Sequence, residues 1–201
     1  MTVHLAGMSE TARARAPRKD AVERRAALID AAAAEFAERG YNVPLDAIAE
    51  RAGVGRATLY RNFADRGILA LAVFEQQLEA LASGTQARGD DPEAFFWFVD
   101  QLADLLGQNA GLDAALREHQ ETGALAPMRQ KLVAAGAAAL KRAQEADLVR
   151  ADLEPQDIRA IAMVLGAGAN RPSVGERDAF GRRIRALLLD GLRTRPSDER
   201  A

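Results

Sequence analysis

The stretch from Leu45 to Phe63 constrains the fold more than any other part of the sequence. Its first half places apolar residues on one face of a short helix, at Leu45, Ile48, Ala49 and Ala52. Gly53 follows, and glycine readily adopts the left-handed conformation that ends a helix. A second short helix then begins, with Leu59 and Phe63 four residues apart on one face. The pattern predicts a helix-turn-helix, with an ordinary helical hairpin as the alternative.

Predicted helices flank this stretch on both sides, over residues 24–40 and 64–81. Together the four segments closely resemble the N-terminal DNA-binding domain of the TetR family of transcriptional repressors. The residues that carry the resemblance are Ala33, Phe36, Gly40, Tyr41, Ile48, Ala49, Ala52, Gly53, Val54, Thr58, Leu59, Tyr60 and Phe63. The resemblance implies an all-α chain, with an N-terminal three-helix helix-turn-helix DNA-binding domain and a C-terminal helical ligand-binding and dimerisation domain.

Three parts of the chain are predicted from these patterns. Residues 1–20 lack helical periodicity and include Pro17, so we expect a flexible basic arm. Residues 21–66 are the predicted DNA-binding domain, and residues 67–201 are the predicted ligand-binding and dimerisation domain. With 48% apolar residues, a chain of 201 residues can bury a substantial core.

Charge is spread unevenly along the sequence. The net charge of −2 argues against a uniformly basic nucleic-acid coat, and 28% charged residues argue against disorder. Residues 11–25, however, carry six basic side chains and only two acidic ones. This distribution favours a protein that contacts phosphate at one end only.

Residues 56–62 are the predicted recognition helix, which should enter the major groove. Its outward residues are Arg56, Ala57, Thr58, Tyr60, Arg61 and Asn62. Arg56 is the candidate for a bidentate contact with guanine, and Ala57 and Thr58 can offer methyl groups to thymine. The resemblance implies that Thr58, Tyr60, Arg61 and Asn62 contact phosphates more than bases.

Three further residues complete the predicted DNA contacts. Pro44 stands where the family commonly has threonine or serine, so a phosphate contact at this helix start would use backbone N–H groups. Arg18 and Lys19 lie in the basic arm. They are either part of a solvated tail or contacts to phosphate or the minor groove.

The rest of the chain predicts helices over 93–108, 112–120, 126–146, 156–168 and 175–194, and a break in the helical pattern at 83–85. Candidate ligand-binding residues are Phe95, Phe96, Trp97, Phe98, Leu102, His119 and Met128. Four consecutive aromatic residues cannot all face one direction on a helix, so they indicate either core packing or a cavity with aromatic walls. His119 alone is more typical of a surface or packed histidine than of a ligand contact.

The last two predicted helices resemble the pair through which family members dimerise as a four-helix bundle. The candidate interface residues are Ile161, Leu165, Gly166, Ile184, Leu187 and Leu188. The alternative is that this apolar surface packs within one chain.

Catalytic machinery is not predicted. The sequence has no cysteine, two histidines and no phosphate-binding loop, so we expect no catalytic residues, no metal and no cofactor. The N-terminus does not resemble a signal peptide, and the apolar run 132–140 is about half the length of a membrane span. A cytoplasmic protein without a membrane partner is expected.

These patterns predict a homodimeric, ligand-responsive regulator of transcription. The resemblance implies a repressor that binds a double-stranded DNA operator, with two-fold symmetry suggesting a palindrome. An unknown small molecule would release that operator by binding the C-terminal domain. The alternative is a helical interaction or small-molecule-binding protein that does not bind DNA.

Overall fold

The computed structural model describes residues 10–109, 125–167 and 174–194. Within these ranges the chain forms eight helices, α1 to α8, over Glu10–Arg39, Leu45–Arg51, Arg56–Asn62, Arg66–Ala87, Ala94–Gln108, Leu125–Glu145, Asp157–Gly166 and Val174–Leu192. These described ranges contain no strand, although Val149 and Arg193 form one isolated antiparallel bridge. The predicted all-α fold is confirmed.

Contacts divide the chain into two compact units, with the division between Val73 and Phe74. The first unit contains α1, α2, α3 and the beginning of α4, and the second contains the rest of α4 and α5 to α8. The sequence predicts the domain boundary earlier, between residues 66 and 67, where α4 begins. The functional division into a DNA-binding and a ligand-binding domain remains a prediction.

Helix α1 begins earlier than the sequence predicts. A flexible arm is expected over residues 1–20, but α1 already starts at Glu10 and continues through Pro17. Residues 11–16 read Thr-Ala-Arg-Ala-Arg-Ala, and alanine and arginine are among the strongest helix formers. These residues favour the helix, whereas Pro17 disfavours it by withholding one backbone N–H and by crowding the preceding turn.

The first unit has a continuous apolar core to which each of its helices contributes. Its largest fully buried side chains are Leu28, Ile48, Leu59, Phe63, Leu69 and Val73. The guanidinium carbon of Arg25 on α1 lies 4.6 Å from the centre of the Phe63 ring. Because Leu59 of α3 and Phe63, which directly follows α3, pack into this core, the opposite side of α3 is the one that a ligand can reach.

Helix α4 passes through the segment 83–85, where the sequence predicts a break. Gly84 allows close packing, because a Cβ at this position would lie 2.5 Å from Trp97 of α5. Thr85 is buried, and its hydroxyl donates to the Leu81 carbonyl oxygen of the same helix at 2.8 Å. Residues that favour a turn in isolation are therefore kept helical by their packing within the second unit.

Helix α5 is central to the second unit and packs against α6, α7 and α8. Phe95, Phe98, Val99 and Leu102 of α5 are fully buried. Helix α6 approaches closely at Gly136, where a Cβ would lie 2.7 Å from the Phe98 ring. The predicted helix over 112–120 falls outside the described residues. None of the helices in the described ranges combines the length and apolar character needed to cross a membrane.

Candidate nucleic-acid interface

The turn between α2 and α3 is built on Gly53. This residue has a φ of 66°, in the left-handed region. Its N–H donates to the Glu50 carbonyl oxygen at 3.0 Å, and the Val54 N–H donates to the Ala49 carbonyl oxygen at 3.0 Å. The two bonds form a Schellman motif, in which the last carbonyls of α2 find partners. The predicted role of Gly53 as the turn residue is confirmed.

Helix α3 covers Arg56–Asn62, the same residues that the sequence predicts for the recognition helix. Gly55 precedes it in an extended conformation, and its carbonyl oxygen accepts from the Thr58 N–H at 2.9 Å. On the outer side of α3, the exposed residues are Arg56, Ala57, Tyr60 and Arg61, and the half-buried ones are Thr58 and Asn62. The six predicted DNA contacts on this helix are therefore all accessible.

Two of these predicted contacts are joined through Thr58. The Arg61 guanidinium donates to the Thr58 hydroxyl oxygen at 3.0 Å. The Asn62 side-chain amide donates to the Thr58 carbonyl oxygen, four residues earlier on the same helix, at 2.7 Å. Arg61 thus carries its charge beside a hydroxyl group, an arrangement suited to an anion that accepts from both.

Arg56 is paired with an acidic residue that the sequence analysis does not single out. Its Nη2 atom lies 2.7 Å from Oδ2 of Asp46, in the first turn of α2. The side chains are 72% and 46% exposed, respectively, so the pair is accessible to a ligand. The geometry sets a carboxylate beside the candidate base-contacting arginine.

A second ion cluster joins α1 to α2. Arg51 donates two hydrogen bonds to Glu38, at 2.7 and 2.8 Å, and a third to Glu35 at 3.2 Å. Arg39 also donates to Glu35, which is buried. Hydrogen bonding from Arg51 lowers the pKa of Glu38, and the two carboxylates raise the pKa of Arg51. The cluster orients the helix-turn-helix on α1, although solvent exposure limits its contribution to stability.

Arg66, at the start of α4, holds the connection that leads into α2. Its guanidinium donates to the carbonyl oxygen of Tyr41 at 2.6 Å and to that of Val43, and its carbon lies 5.6 Å from the centre of the Tyr41 ring. Pro44 then precedes α2 with no side-chain cap, and its carbonyl oxygen accepts from the Ala47 N–H at 3.0 Å. The sequence does not reveal Arg66, because its partners lie more than twenty residues away.

The two remaining predicted contacts, Arg18 and Lys19, lie on α1 and not on a flexible arm. The structure describes only the backbone at these two positions.

Two family models match the chain. Residues 28–73 match the model of bacterial regulatory proteins, tetR family. Residues 90–194 match the model of the SbtR-like transcriptional regulator C-terminal domain, and this match alone spans more than half of the chain. The chain belongs to the TetR family. This is a family of DNA-binding regulators and not of enzymes, in agreement with the sequence analysis.

Solved TetR regulators resemble the chain over most of its length. A TetR transcriptional regulator from Streptomyces coelicolor is 30% identical and superposes with a TM-score of 0.62. The match covers 86% of this chain and 99% of the Streptomyces coelicolor chain. A TetR transcription regulatory protein from Mycobacterium vanbaalenii is 30% identical and has a TM-score of 0.59. The match covers 88% of this chain and 98% of the Mycobacterium vanbaalenii chain. Both matches extend across the two units.

Relatives named by function match shorter segments. The HTH-type transcriptional activator FasR of Mycolicibacterium smegmatis is 42% identical over 65 residues, which cover 32% of this chain and 30% of that protein. An HTH-type transcriptional regulator of Staphylococcus aureus is 35% identical over 92 residues, which cover 45% of this chain and 50% of that protein. The chain therefore spans half or less of the length of these curated relatives.

The candidate ligand-binding residues of this TetR chain are mostly interior. Phe95, Phe96, Phe98 and Leu102 are buried, and Trp97 and Met128 are half-buried. The Arg88 guanidinium carbon lies 4.3 Å from the centre of the Trp97 ring. His119 lies outside the described residues. Burial fits both core packing and the wall of a cavity, so the ligand site remains a prediction. Among the described residues, no three His, Asp or Glu side chains are grouped as metal ligands would be.

The candidate dimer residues of the TetR chain divide into two groups. Ile161 and Leu165 are buried within the single chain. Accessible residues of the predicted set are Gly166, Ile184, Leu187 and Leu188. The exposed neighbours Met163 and Val164 are missing from that set. Their signal in the sequence is that they are apolar yet lie off the stripe formed by Ile161 and Leu165.

Proposed function

We propose that this chain is a homodimeric regulator that binds a palindromic operator and releases it when a small molecule occupies its C-terminal domain. The observation that carries the proposal is the two-sided character of α3. Leu59 fixes one side in the core, while Arg56, Tyr60 and Arg61 are exposed on the other. A short helix with this division of residues fits the major groove of DNA.

The exposed residues of α3 support two kinds of DNA contact. Arg56 is at the first position of the helix, the end that faces base edges in this motif, and its guanidinium can donate to O6 and N7 of guanine. Arg61 lies more than one helical turn after Arg56, beside the Thr58 hydroxyl, and its guanidinium can donate to a phosphate oxygen. Arg56 would therefore supply sequence preference, while Arg61, Tyr60 and Asn62 would supply affinity.

Contacts outside α3 extend the proposed interface. Arg18 and Lys19 would approach phosphates from α1, and this helical segment would contact DNA without the ordering cost of a flexible arm. Pro44 would contribute backbone groups at the start of α2. These contacts carry no sequence information and would strengthen binding to every duplex.

A dimer is supported by exposed apolar residues on α7 and α8. Met163 is 77% exposed and Leu187 is 55% exposed, although side chains of this kind are usually buried. Two copies joined through these helices would present two recognition helices related by two-fold symmetry. Such a dimer binds two half-sites about 34–36 Å apart, or a multiple of that distance, which makes the operator palindromic.

The proposed sign of regulation is repression, with release by an effector. A small molecule that prefers the conformation with lower DNA affinity must weaken DNA binding. By the same factor, bound DNA weakens the binding of the small molecule. One relative of this chain is named an activator. A reporter gene behind the operator distinguishes repression from activation. When the gene for the regulator is deleted, reporter expression rises if the regulator is a repressor and falls if it is an activator. Such a regulator acts on DNA in the cytoplasm.

The experiment that tests DNA binding is selection from a random-sequence duplex library, followed by fluorescence anisotropy at two salt concentrations. We expect an enriched palindrome, and tighter binding to it than to a scrambled duplex of equal length. The affinity should fall steeply with salt because each phosphate contact releases a counterion. Weak binding without an enriched motif would contradict the proposal and favour a helical protein without a DNA role.

Effector release is tested separately on the same duplex. Apolar small molecules that raise the unfolding temperature of the protein are added to the preformed DNA complex. An effector is expected to lower the anisotropy, because it releases the labelled duplex from the protein. Its own affinity for the protein should fall when DNA is present. A ligand that stabilises the protein and leaves DNA affinity unchanged would contradict the regulatory role of its site.

A further inference from the structure

The carboxylate of Asp46 holds the guanidinium of Arg56 at the start of the recognition helix. The Nη2 to Oδ2 distance is 2.7 Å, and the residues belong to the first turns of two different helices, α2 and α3. Those helices are fixed to each other by the Gly53 turn and by the shared core around Ile48 and Leu59. The fold therefore fixes the backbone positions of the two residues, and their exposed side chains meet there by charge attraction.

The pairing affects what the guanidinium can do next. An arginine fork has five N–H donors, and the contact with Asp46 leaves donors free for a second planar partner. Guanine offers two acceptors, O6 and N7, in the major groove. A guanidinium restrained before binding loses less side-chain freedom on forming that bidentate contact. The carboxylate thus favours the base contact without occupying every donor of Arg56.

The same carboxylate disfavours the competing contact. Arg56 is exposed and its side chain is long enough to choose among several acceptors, and in DNA the most abundant acceptors are phosphate oxygens. The Asp46 charge repels phosphate, so it selectively raises the free energy of arrangements in which Arg56 approaches the backbone. Near base edges it can instead accept from the amino group of cytosine or adenine.

We infer that Asp46 is a specificity-determining residue that positions Arg56 for guanine and away from phosphate. The inference rests on the proposed DNA-binding function and adds a residue that the resemblance to the family does not supply. Asp46 lowers the affinity for DNA in general and raises the preference for one base in each half-site. It acts through Arg56 and is a positioning residue.

The test compares Asp46→Asn with the wild type in parallel selections from one random duplex library. The wild type enriches a half-site with guanine at one position. For Asp46→Asn the preference at that position falls by up to about five-fold, which corresponds to the roughly 1 kcal/mol that an exposed ion pair contributes at most. The remaining positions keep their preferences. Binding to a scrambled duplex strengthens, because one negative charge near phosphate is gone.

Glu50→Gln is the matched control, since Glu50 is exposed on the same helix and the change in charge is equal. It strengthens binding to the scrambled duplex but leaves the guanine preference intact. Asp46→Glu retains the carboxylate on a longer side chain and keeps more of the guanine preference than Asp46→Asn does. Circular dichroism and thermal unfolding establish that each variant is folded.

The outcomes separate this inference from the proposed function. If Asp46→Asn keeps the full guanine preference, the role of Asp46 is overturned but the proposed regulator is not. The same conclusion follows if Asp46→Asn and Glu50→Gln lose the guanine preference equally. Failure of the wild type to enrich any motif overturns the proposed DNA-binding function itself.

Discussion

The two units of the chain expose different chemistry. On α3 of the first unit, the outward side chains include two guanidinium groups, those of Arg56 and Arg61. On α7 and α8 of the second unit, the exposed side chains include the apolar Met163, Val164 and Leu187. Guanidinium groups suit phosphates and base edges, whereas exposed apolar side chains suit another protein surface. On the proposed function, the first unit binds DNA and the second binds another copy of the chain, so a substitution should weaken one of these interactions without the other.

The units also differ in how their interiors are built. The first unit buries mostly aliphatic side chains around a turn between two seven-residue helices. In the second unit, the fifteen-residue helix α5 buries the aromatic residues Phe95, Phe96 and Phe98. A change in the aromatic core should therefore alter stability, whereas a change on the outer face of α3 should alter DNA binding alone.

Phe98→Ala is expected to have the largest effect. Phe98 is fully buried, and its ring stacks on Phe95 with 6.2 Å between ring centres. Truncation leaves a cavity and typically lowers the free energy of unfolding by about 3–5 kcal/mol. Urea unfolding at a fixed protein concentration measures the loss, since the stability of a dimer depends on concentration. Trp97→Ala, at a half-buried neighbour, should cost less. A larger loss there than at Phe98 would contradict the assigned core.

Charges on the proposed interface should separate the subunits. Burying one apolar side chain contributes about 1.5–3 kcal/mol, so Met163→Lys combined with Leu187→Lys should weaken dimerisation by about 100-fold or more. Sedimentation velocity over a range of concentrations measures the change. Val22→Lys is the control, because Val22 is an exposed apolar residue of the first unit. Unchanged sedimentation of the double variant would show that the dimer forms elsewhere.

Substitution of the two exposed arginines of α3 should change DNA binding in different ways. Arg56→Ala should remove about 1–3 kcal/mol of discrimination at one base position in each half-site. Arg61→Ala should weaken binding to all duplexes alike and reduce the slope of affinity against salt by about one unit for each lost phosphate contact. Anisotropy with the selected duplex, a single-base variant of it and a scrambled duplex distinguishes these results. If both variants lose equal affinity for all three duplexes, Arg56 does not contact a base.

The sequence predicts the local elements of the first unit well, because their signals lie within a few residues. Apolar spacing locates α3, and a glycine that can adopt a positive φ locates the turn at Gly53. The pairs that orient these elements are not predicted. Asp46 meets Arg56, and Glu38 meets Arg51, only after two helices have packed together. Periodicity within one helix contains no information about which charge on the next helix will be adjacent.

The second unit shows the same limit for apolar residues. Helical spacing identifies Ile161 and Leu165 as a stripe, but it does not say whether the stripe faces the chain's own core or a second subunit. The structure turns the stripe inward, so Met163 and Val164 are the ones exposed. At 83–85, turn-forming residues stay helical because Trp97 packs against Gly84. Tertiary contacts decide each of these cases.

The smallest expected effect concerns pH and the ion pair between Glu38 and Arg51. The hydrogen bonds from Arg51 hold the pKa of Glu38 below its ordinary value of 4.5. A carboxyl group with a lowered pKa in the folded state stabilises that state above its ordinary pKa, and this contribution is lost as the pH falls through the lowered value. The stability difference between wild type and Glu38→Gln should therefore be constant above about pH 5 and shrink in more acidic solution.

Asp152 of the second unit is the comparison that sharpens this prediction. Its pKa is also lowered, by Arg150, which donates to it at 2.6 Å from only two residues away. A contact between such close neighbours can persist in the unfolded chain, so its pKa should differ less between the two states. Urea midpoints of Glu38→Gln and Asp152→Asn, measured between about pH 3 and pH 7, should show the stronger pH dependence for Glu38. The reverse order would mean that the pair joining α1 to α2 contributes less to folding than a local turn contact does.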